Sequence, residues 1–148
     1  MKNLPIIEDV CRIPVKFSEI DSMRRVWHGS YVKYLEDGRE SFGRHYPGIG
    51  YADMVEAGIL APIVDLHIKY VGPLGLNDVA VITTRYVPKR GARLDYEYEI
   101  RRERDNQLCI TATTTQLFID QNEELVFYDP PYFEEWKRRN GVLVDNRE

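Results

Sequence analysis

The feature that most constrains the fold is a change of hydrophobic period part-way along the chain. After Ser30, the residues Tyr31, Tyr34, Leu35, Gly38, Phe42 and Tyr46 recur at helical spacing, an apolar stripe interrupted by one small residue. Beyond Gly58 the period falls to two. Val64, Leu66, Ile68 and Tyr70 alternate with Ile63, Asp65, His67 and Lys69, and Val79 to Val87 reads as a second strand. Leu94, Tyr96, Tyr98 and Ile100 form one apolar face, and Leu108 to Ile119 is Thr-rich and β-branched, suited to a central strand. Gly72-Pro73, Gly75, Pro88 to Gly91 and Asp105-Asn106 supply the turns between them. A helix followed by a run of antiparallel strands is an α+β pattern, with the helix packed on one face of the sheet.

The flanking segments complete this outline. Cys11, Ile13, Val15 and Phe17 share one face of a strand, and Pro14 on the opposite face points to an edge or an interruption. Ser30 is the expected N-cap of the helix, Glu40 and Arg44 pair one turn apart, and Pro47-Gly48 ends it. A shorter amphipathic piece, Tyr51 to Ala57, is closed by Gly58. Near the C-terminus Asp129 reads as an N-cap with Pro130 at the first helical position, and Gly141 as the stop. Glu134 and Glu135 ahead of Lys137, Arg138 and Arg139 suit the dipole of that short helix. The 148 residues fit a single domain, 1–148, because one ordinary core takes roughly 100–200 residues. No internal repeat, low-complexity segment or dividing linker is present.

Several classes of protein are disfavoured. No run of about 18 apolar residues exists to span a membrane, and MKNLPIIEDV lacks the apolar core of a signal peptide. Cys11 and Cys109 sit in alternating apolar stretches, which favours buried free thiols and a cytoplasmic setting over a disulfide. No Cys/His spacing matches a zinc site. A net charge of −4 argues against a general nucleic-acid binder. Basic clusters at Arg24-Arg25, Lys89 to Arg93 and Lys137 to Arg139 would still serve a small anionic ligand. Nucleophile-elbow, P-loop and dinucleotide glycine patterns are all missing.

What remains is the strand-to-helix junction KFSEIDSMRRVWHGSYVKYLEDGRESF, which holds Asp21 and His28. A helix N-terminus presents unpaired N–H groups and partial positive charge, which stabilise an oxyanion formed beside it. A carboxylate close by can attack a carbonyl or activate a water. The plainer alternative makes Asp21 a loop-capping residue and His28 a partly buried structural one.

The stretch VKFSEIDSMRRVWHGSYVKYLEDGRE resembles the signature of the 4-hydroxybenzoyl-CoA thioesterase family of hotdog-fold proteins. The matching positions are Phe17, Glu19, Asp21, Val26, Trp27, His28 and Tyr31, with Glu36 and Arg39 at the family's helix positions. GILAPIVDLHIKYVGPLGLNDVAV and RYVPKRGARLDYEYEI are similar to the family's second strand with its turn and its third-to-fourth strand hairpin. The resemblance covers roughly residues 10–120 and implies a five-stranded antiparallel sheet wrapped around a central helix. It also implies paired subunits that form the sites between them, as a homodimer or homotetramer.

The implied activity is hydrolysis of an acyl-CoA thioester, without metal or redox cofactor. Asp21 falls on the catalytic carboxylate, nucleophile or general base, and His28 on the position whose backbone N–H polarises the thioester carbonyl. A thiolate leaves with little protonation help, so one carboxylate and an oxyanion donor suffice. The hairpin cations Lys89, Arg90 and Arg93 resemble the basic turn that meets CoA phosphates; as a plain sequence feature they are a solvated tip. Glu36 is either a substrate contact or a surface acid paired with Arg39. Asp65 and His67 share a strand face that lines a partner's pocket or faces solvent or a subunit interface. The ten tyrosines read as core and interface packing, and His45 as a charge at the helix end.

One position departs from the family pattern. Arg24 stands three residues after Asp21, where the family commonly has a small residue, often Gly. A long cation there alters the loop, narrows the thioester channel, or contacts a ligand phosphate or acyl carboxylate. This keeps open an alternative function, a hotdog protein that binds an acyl-CoA or acyl-carrier group without cleaving it.

Overall fold

A computed structural model describes residues 3–144. The elements in order are β1 (Glu8–Pro14), α1 (Tyr31–His45), α2 (Tyr51–Ala57), β2 (Ile63–Tyr70), β3 (Val79–Val87), β4 (Arg93–Arg102), β5 (Gln107–Leu117) and α3 (Pro131–Arg139). Short 3-10 turns cover Phe17–Glu19 and His28–Ser30. The strands make one antiparallel sheet in the order β1-β3-β4-β5-β2. β1 and β2 are thus the two edges, and Pro14 sits on an edge strand where its missing N–H costs little.

Helix α1 lies across β1 and β3, burying Tyr31, Tyr34, Leu35 and Phe42. Gly38 is the small residue of the stripe for a steric reason. A Cβ there would come within 2.5 Å of Thr84 Oγ1 and 2.9 Å of Ile82 Cγ2. The sheet face under the helix carries Ala80, Ile82, Leu94, Tyr96, Tyr98, Ile100 and Ile110, all buried. Towards β2 that same face opens, and Leu66 and Tyr70, paired across from Thr114 and Ile110, are exposed. Asp65 and His67 lie on the opposite face, with His67 beside Arg85, Glu97 and Glu99.

Three boundaries differ from the sequence expectations. β1 begins three residues earlier, at Glu8, and stops at Pro14, leaving Phe17 in a 3-10 turn and 80% exposed. Asp9 enters the buried face because Ser41 Oγ donates to it at 2.6 Å and His45 Nδ1 lies 2.5 Å away. His45 is therefore tied to a strand as well as to its helix end. Ser30 does not cap α1 through its side chain; its own backbone is already helical, and the chain enters through the turn at His28. In α3 the N-cap is Pro130 and the first helical residue Pro131, while Asp129 instead receives the Lys137 ammonium. That ammonium also sits 4.5 Å above the Phe133 ring, which makes a buried lysine tolerable.

Candidate active site

The loop between β1 and α1 is closed by backbone pairing. Ile20 and Val26 form an isolated antiparallel bridge, Trp27 N donates to Glu19 O at 2.8 Å, and Asp21 N to Arg25 O at 2.9 Å. Asp21 folds the tip as an Asx-type turn, its Oδ1 accepting from Met23 N at 2.8 Å and Arg25 N at 3.4 Å. Its Oδ2 accepts no hydrogen bond from any described residue. One oxygen is therefore spent on holding the loop, and the other has no partner among the described residues.

The loop is anchored from two sides. Tyr34 OH on α1 donates to Glu19 Oε1 at 2.7 Å, and the same oxygen accepts from Lys16 N at 2.8 Å. Burial and this carboxylate both push the Tyr34 hydroxyl far up, so it remains a donor. From the other side, Val26 N donates to Leu74 O at 2.8 Å, and Leu74 N donates to Tyr31 OH at 3.2 Å. Glu19, Tyr34 and Leu74 thus hold the loop in place. Glu19 stood in the signature, but its tie to Tyr34 spans the loop and the start of α1, a contact no local pattern announces.

His28 opens the 3-10 turn that runs into α1, and its N–H and that of Gly29 donate to no acceptor among the described residues. Tyr70 OH donates to His28 O at 2.8 Å and fixes the turn to β2. The imidazole is exposed, 4.9 Å from the Trp27 ring between centroids. That indole lies across Gly29, where a Cβ would come within 2.2 Å of it, so a side chain at that position would displace the exposed ring. Asp21 and His28 thus share one loop that pairs a free carboxylate oxygen with an open helix start.

Arg24 keeps the backbone that a glycine would have, with φ +65°. Its side chain is exposed and makes no ion pair within 4 Å among the described residues, so it does not lock Asp21. Arg24→Gly is expected to raise stability by about 0.5–1 kcal/mol, left-handed strain relieved minus the extra freedom of the unfolded chain. A higher urea midpoint checks this; a lower one would mean the arginine side chain contributes more than its exposure implies.

The basic hairpin is elsewhere. β3 runs from beside the Asp21 loop to the hairpin, so its nine residues separate the two by about 25–30 Å within one chain. Lys89 and Arg90 are exposed at the tip. Arg93 instead forks onto Asp95, Nε to Oδ2 at 2.7 Å and Nη2 to Oδ1 at 2.8 Å, and Lys89 stands 3.9 Å from the same carboxylate. Burial would raise the Asp95 pKa, but hydrogen bonds from Arg93 and Thr115 outweigh it and hold the carboxyl below its usual range. A lowered folded pKa stabilises above the unfolded value and is lost as pH falls through the folded one. Asp95→Asn is therefore expected to cost about 1–3 kcal/mol at neutral pH. In urea titrations the gap between the two proteins should close below about pH 4.

At the hairpin end, a cavity of about 770 Å³ opens between α1, α2 and strands β4 and β5. Glu36 and Arg39 reach it from α1, with no ion pair between them. Sequence reasoning placed both on the helix but found neither the cavity nor its wall residue Gln116.

Comparison with known proteins fits this architecture. A family model described as the thioesterase-like superfamily matches residues 15–139. A Bacillus subtilis (strain 168) protein, YneP, named as a candidate acyl-CoA thioesterase, is 33% identical over 74% of this chain and 78% of its own. A DHNA-CoA thioesterase from Staphylococcus aureus superposes with TM-score 0.77 at 24% identity, covering 93% of this chain and 97% of that one. Another Staphylococcus aureus protein, solved in complex with CoA, gives TM-score 0.76 at 17% identity over 98% and 91% of the two chains. The fold is the hotdog fold of CoA thioesterases. The chain belongs to the thioesterase-like superfamily.

Proposed function

We propose that this chain hydrolyses an acyl-CoA thioester to a carboxylic acid and free CoA at the Asp21 loop. The observation that supports the reading is the division of labour in Asp21, with Oδ1 holding the loop and Oδ2 unpaired, in the same loop that runs into an open helix start. The N–H at His28 receives the carbonyl oxygen as it becomes an oxyanion. Acting as nucleophile, Asp21 attacks the carbonyl carbon, the C–S bond breaks, thiolate leaves, and water then cleaves the mixed anhydride. Acting as base, Asp21 takes a proton from water, which attacks directly. In either sequence one water is consumed and the thiolate leaves as thiol.

A second copy of the chain completes the site in this reading. β2 is an edge with Val64, Leu66 and Tyr70 exposed, a surface that calls for a strand partner. Antiparallel pairing of β2 with its copy sets the hairpin end of one chain beside the Asp21 loop of the other. Lys89 and Arg90 would then meet CoA phosphates across the interface, with Arg93 ordering the hairpin through Asp95. The setting is the cytoplasm, where the free thiols Cys11 and Cys109 stay reduced. Among the described residues no helix is long and apolar enough to cross a membrane.

The test is thiol release from short, long, branched and aromatic acyl-CoAs. Turnover on some of them supports the hydrolase. Tight acyl-CoA binding with no release from any would establish the non-catalytic binder, the role that Arg24 in place of a small residue first raised.

A further inference from the structure

Asp21 and residue 28 stand on opposite arms of one loop, so the distance between them depends on what ties the arms together. Glu19, two residues before Asp21, is bonded to both arms and to the helix. Its main-chain carbonyl accepts from Trp27 N at 2.8 Å, which fixes the residue directly ahead of His28. Its Oε1 accepts from Lys16 N at 2.8 Å, closing the turn Phe17–Glu19 on the arm that carries Asp21. The same oxygen accepts from Tyr34 OH at 2.7 Å, and Tyr34 is fully buried in α1, the helix that this loop enters. One carboxylate oxygen therefore sets the Asp21 arm against the helix whose first turn begins at His28.

We infer that Tyr34 and Glu19 are positioning residues for thioester hydrolysis, holding the Asp21 carboxylate at its working distance from the N–H of residue 28. The inference rests on the hydrolase reading and adds two residues that touch neither substrate nor reacting atoms. Rate is more sensitive to this tie than folding is. A displacement of about 1 Å between reacting groups costs on the order of 10²-fold in rate. The loop, by contrast, keeps its Ile20–Val26 bridge and its bond from Val26 N to Leu74 O when the tie is cut. Tyr34→Phe also keeps the ring, which packs edge-on against Tyr31 at 5.9 Å between centroids, and removes only the donor. Glu19 Oε2 accepts no hydrogen bond from any described residue, so Glu19→Gln keeps the accepting oxygen and places its NH2 where no donor opposes it.

The test is a set of variants assayed on whichever acyl-CoA of the panel the parent cleaves fastest, under conditions where urea titration shows each protein folded. Tyr34→Phe and Glu19→Ala should each lower kcat by about 10–10²-fold, with KM within about threefold of the parent. The double variant should be no slower than the slower single one, because both substitutions cut the same tie. Glu19→Gln should recover kcat by about fivefold or more over Glu19→Ala, a rescue that a loss of charge alone does not give. If Glu19→Ala does not fold, Tyr34→Phe and Glu19→Gln still read the tie from its two ends. A folded Tyr34→Phe whose kcat stays within about threefold of the parent would overturn the inference and leave the bond a folding contact. Glu19→Gln as slow as Glu19→Ala would overturn it in favour of the carboxylate charge, and losses that multiply in the double variant would make the two effects independent and overturn it also. Each of these leaves hydrolysis at Asp21 intact. Absence of thiol release by the parent from every acyl-CoA would instead remove the hydrolase reading.

Discussion

Asp21→Asn is expected to lower kcat for thiol release by about 10²-fold or more, with little change in stability. An amide is neither nucleophile nor base, and losing such a group costs several kcal/mol of barrier, each ~1.4 kcal/mol being tenfold in rate. The structural part of the residue survives the change. Asn keeps an oxygen for the Met23 and Arg25 N–H groups, so the Asx-type turn that shapes the loop persists. The measurement is steady-state kinetics beside a urea titration of the same two proteins. A variant as stable as the parent and within about threefold of its rate would make Asp21 the loop cap and nothing more.

The second large effect separates backbone from side chain at His28. Trp27 has φ −59° and ψ +137°, the extended conformation that a following proline requires. Residue 28 is the first of its helical turn, where proline is well accommodated and the N–H has no protein partner. His28→Pro thus removes the proposed oxyanion donor with small structural cost, and kcat should fall by about 10²–10³-fold. His28→Ala keeps the N–H and loses the Trp27 ring contact, so its cost should stay under about tenfold. If both substitutions cost the same, the imidazole is the working group.

Much of this arrangement was legible from period alone. The burial of β3 alternates throughout, and that of β4 and β5 does so apart from Asp95 and Cys109, because one face is buried under a helix and the other is mostly not. The order of the strands was not. β2 precedes β3 in the chain but lies across the sheet beside β5, a placement that no local pattern of its residues encodes. β1 was misplaced because Asp9 looks like a loop residue until Ser41 and His45 are brought to it from α1. Ser30 reads as a cap because a hydroxyl residue stands directly ahead of the helical period, yet its own backbone is already helical as the last residue of the 3-10 turn.

For the candidate site, Asp21 and His28 stand out in the sequence at the strand-to-helix junction and through the family resemblance, since both belong to one short loop. Arg24 shows the limit of reading by residue type. The departure from glycine suggested altered chemistry, yet the backbone keeps the left-handed conformation and the cation extends to solvent. The Arg39 and Gln116 pair was out of reach altogether. A helix residue and a strand residue far apart in sequence share a cavity only once the sheet has wrapped.

The central claim is that a thioester carbonyl is held between the Asp21 carboxylate and the helix start at His28. A crystal structure with a ketone analogue of acyl-CoA, whose CH2 replaces the sulfur, tests it most directly. The account predicts the ketone oxygen within hydrogen-bonding distance of the residue 28 N–H, about 2.7–3.2 Å, with Asp21 Oδ2 facing the carbonyl carbon. An analogue bound with its ketone away from that loop would contradict it.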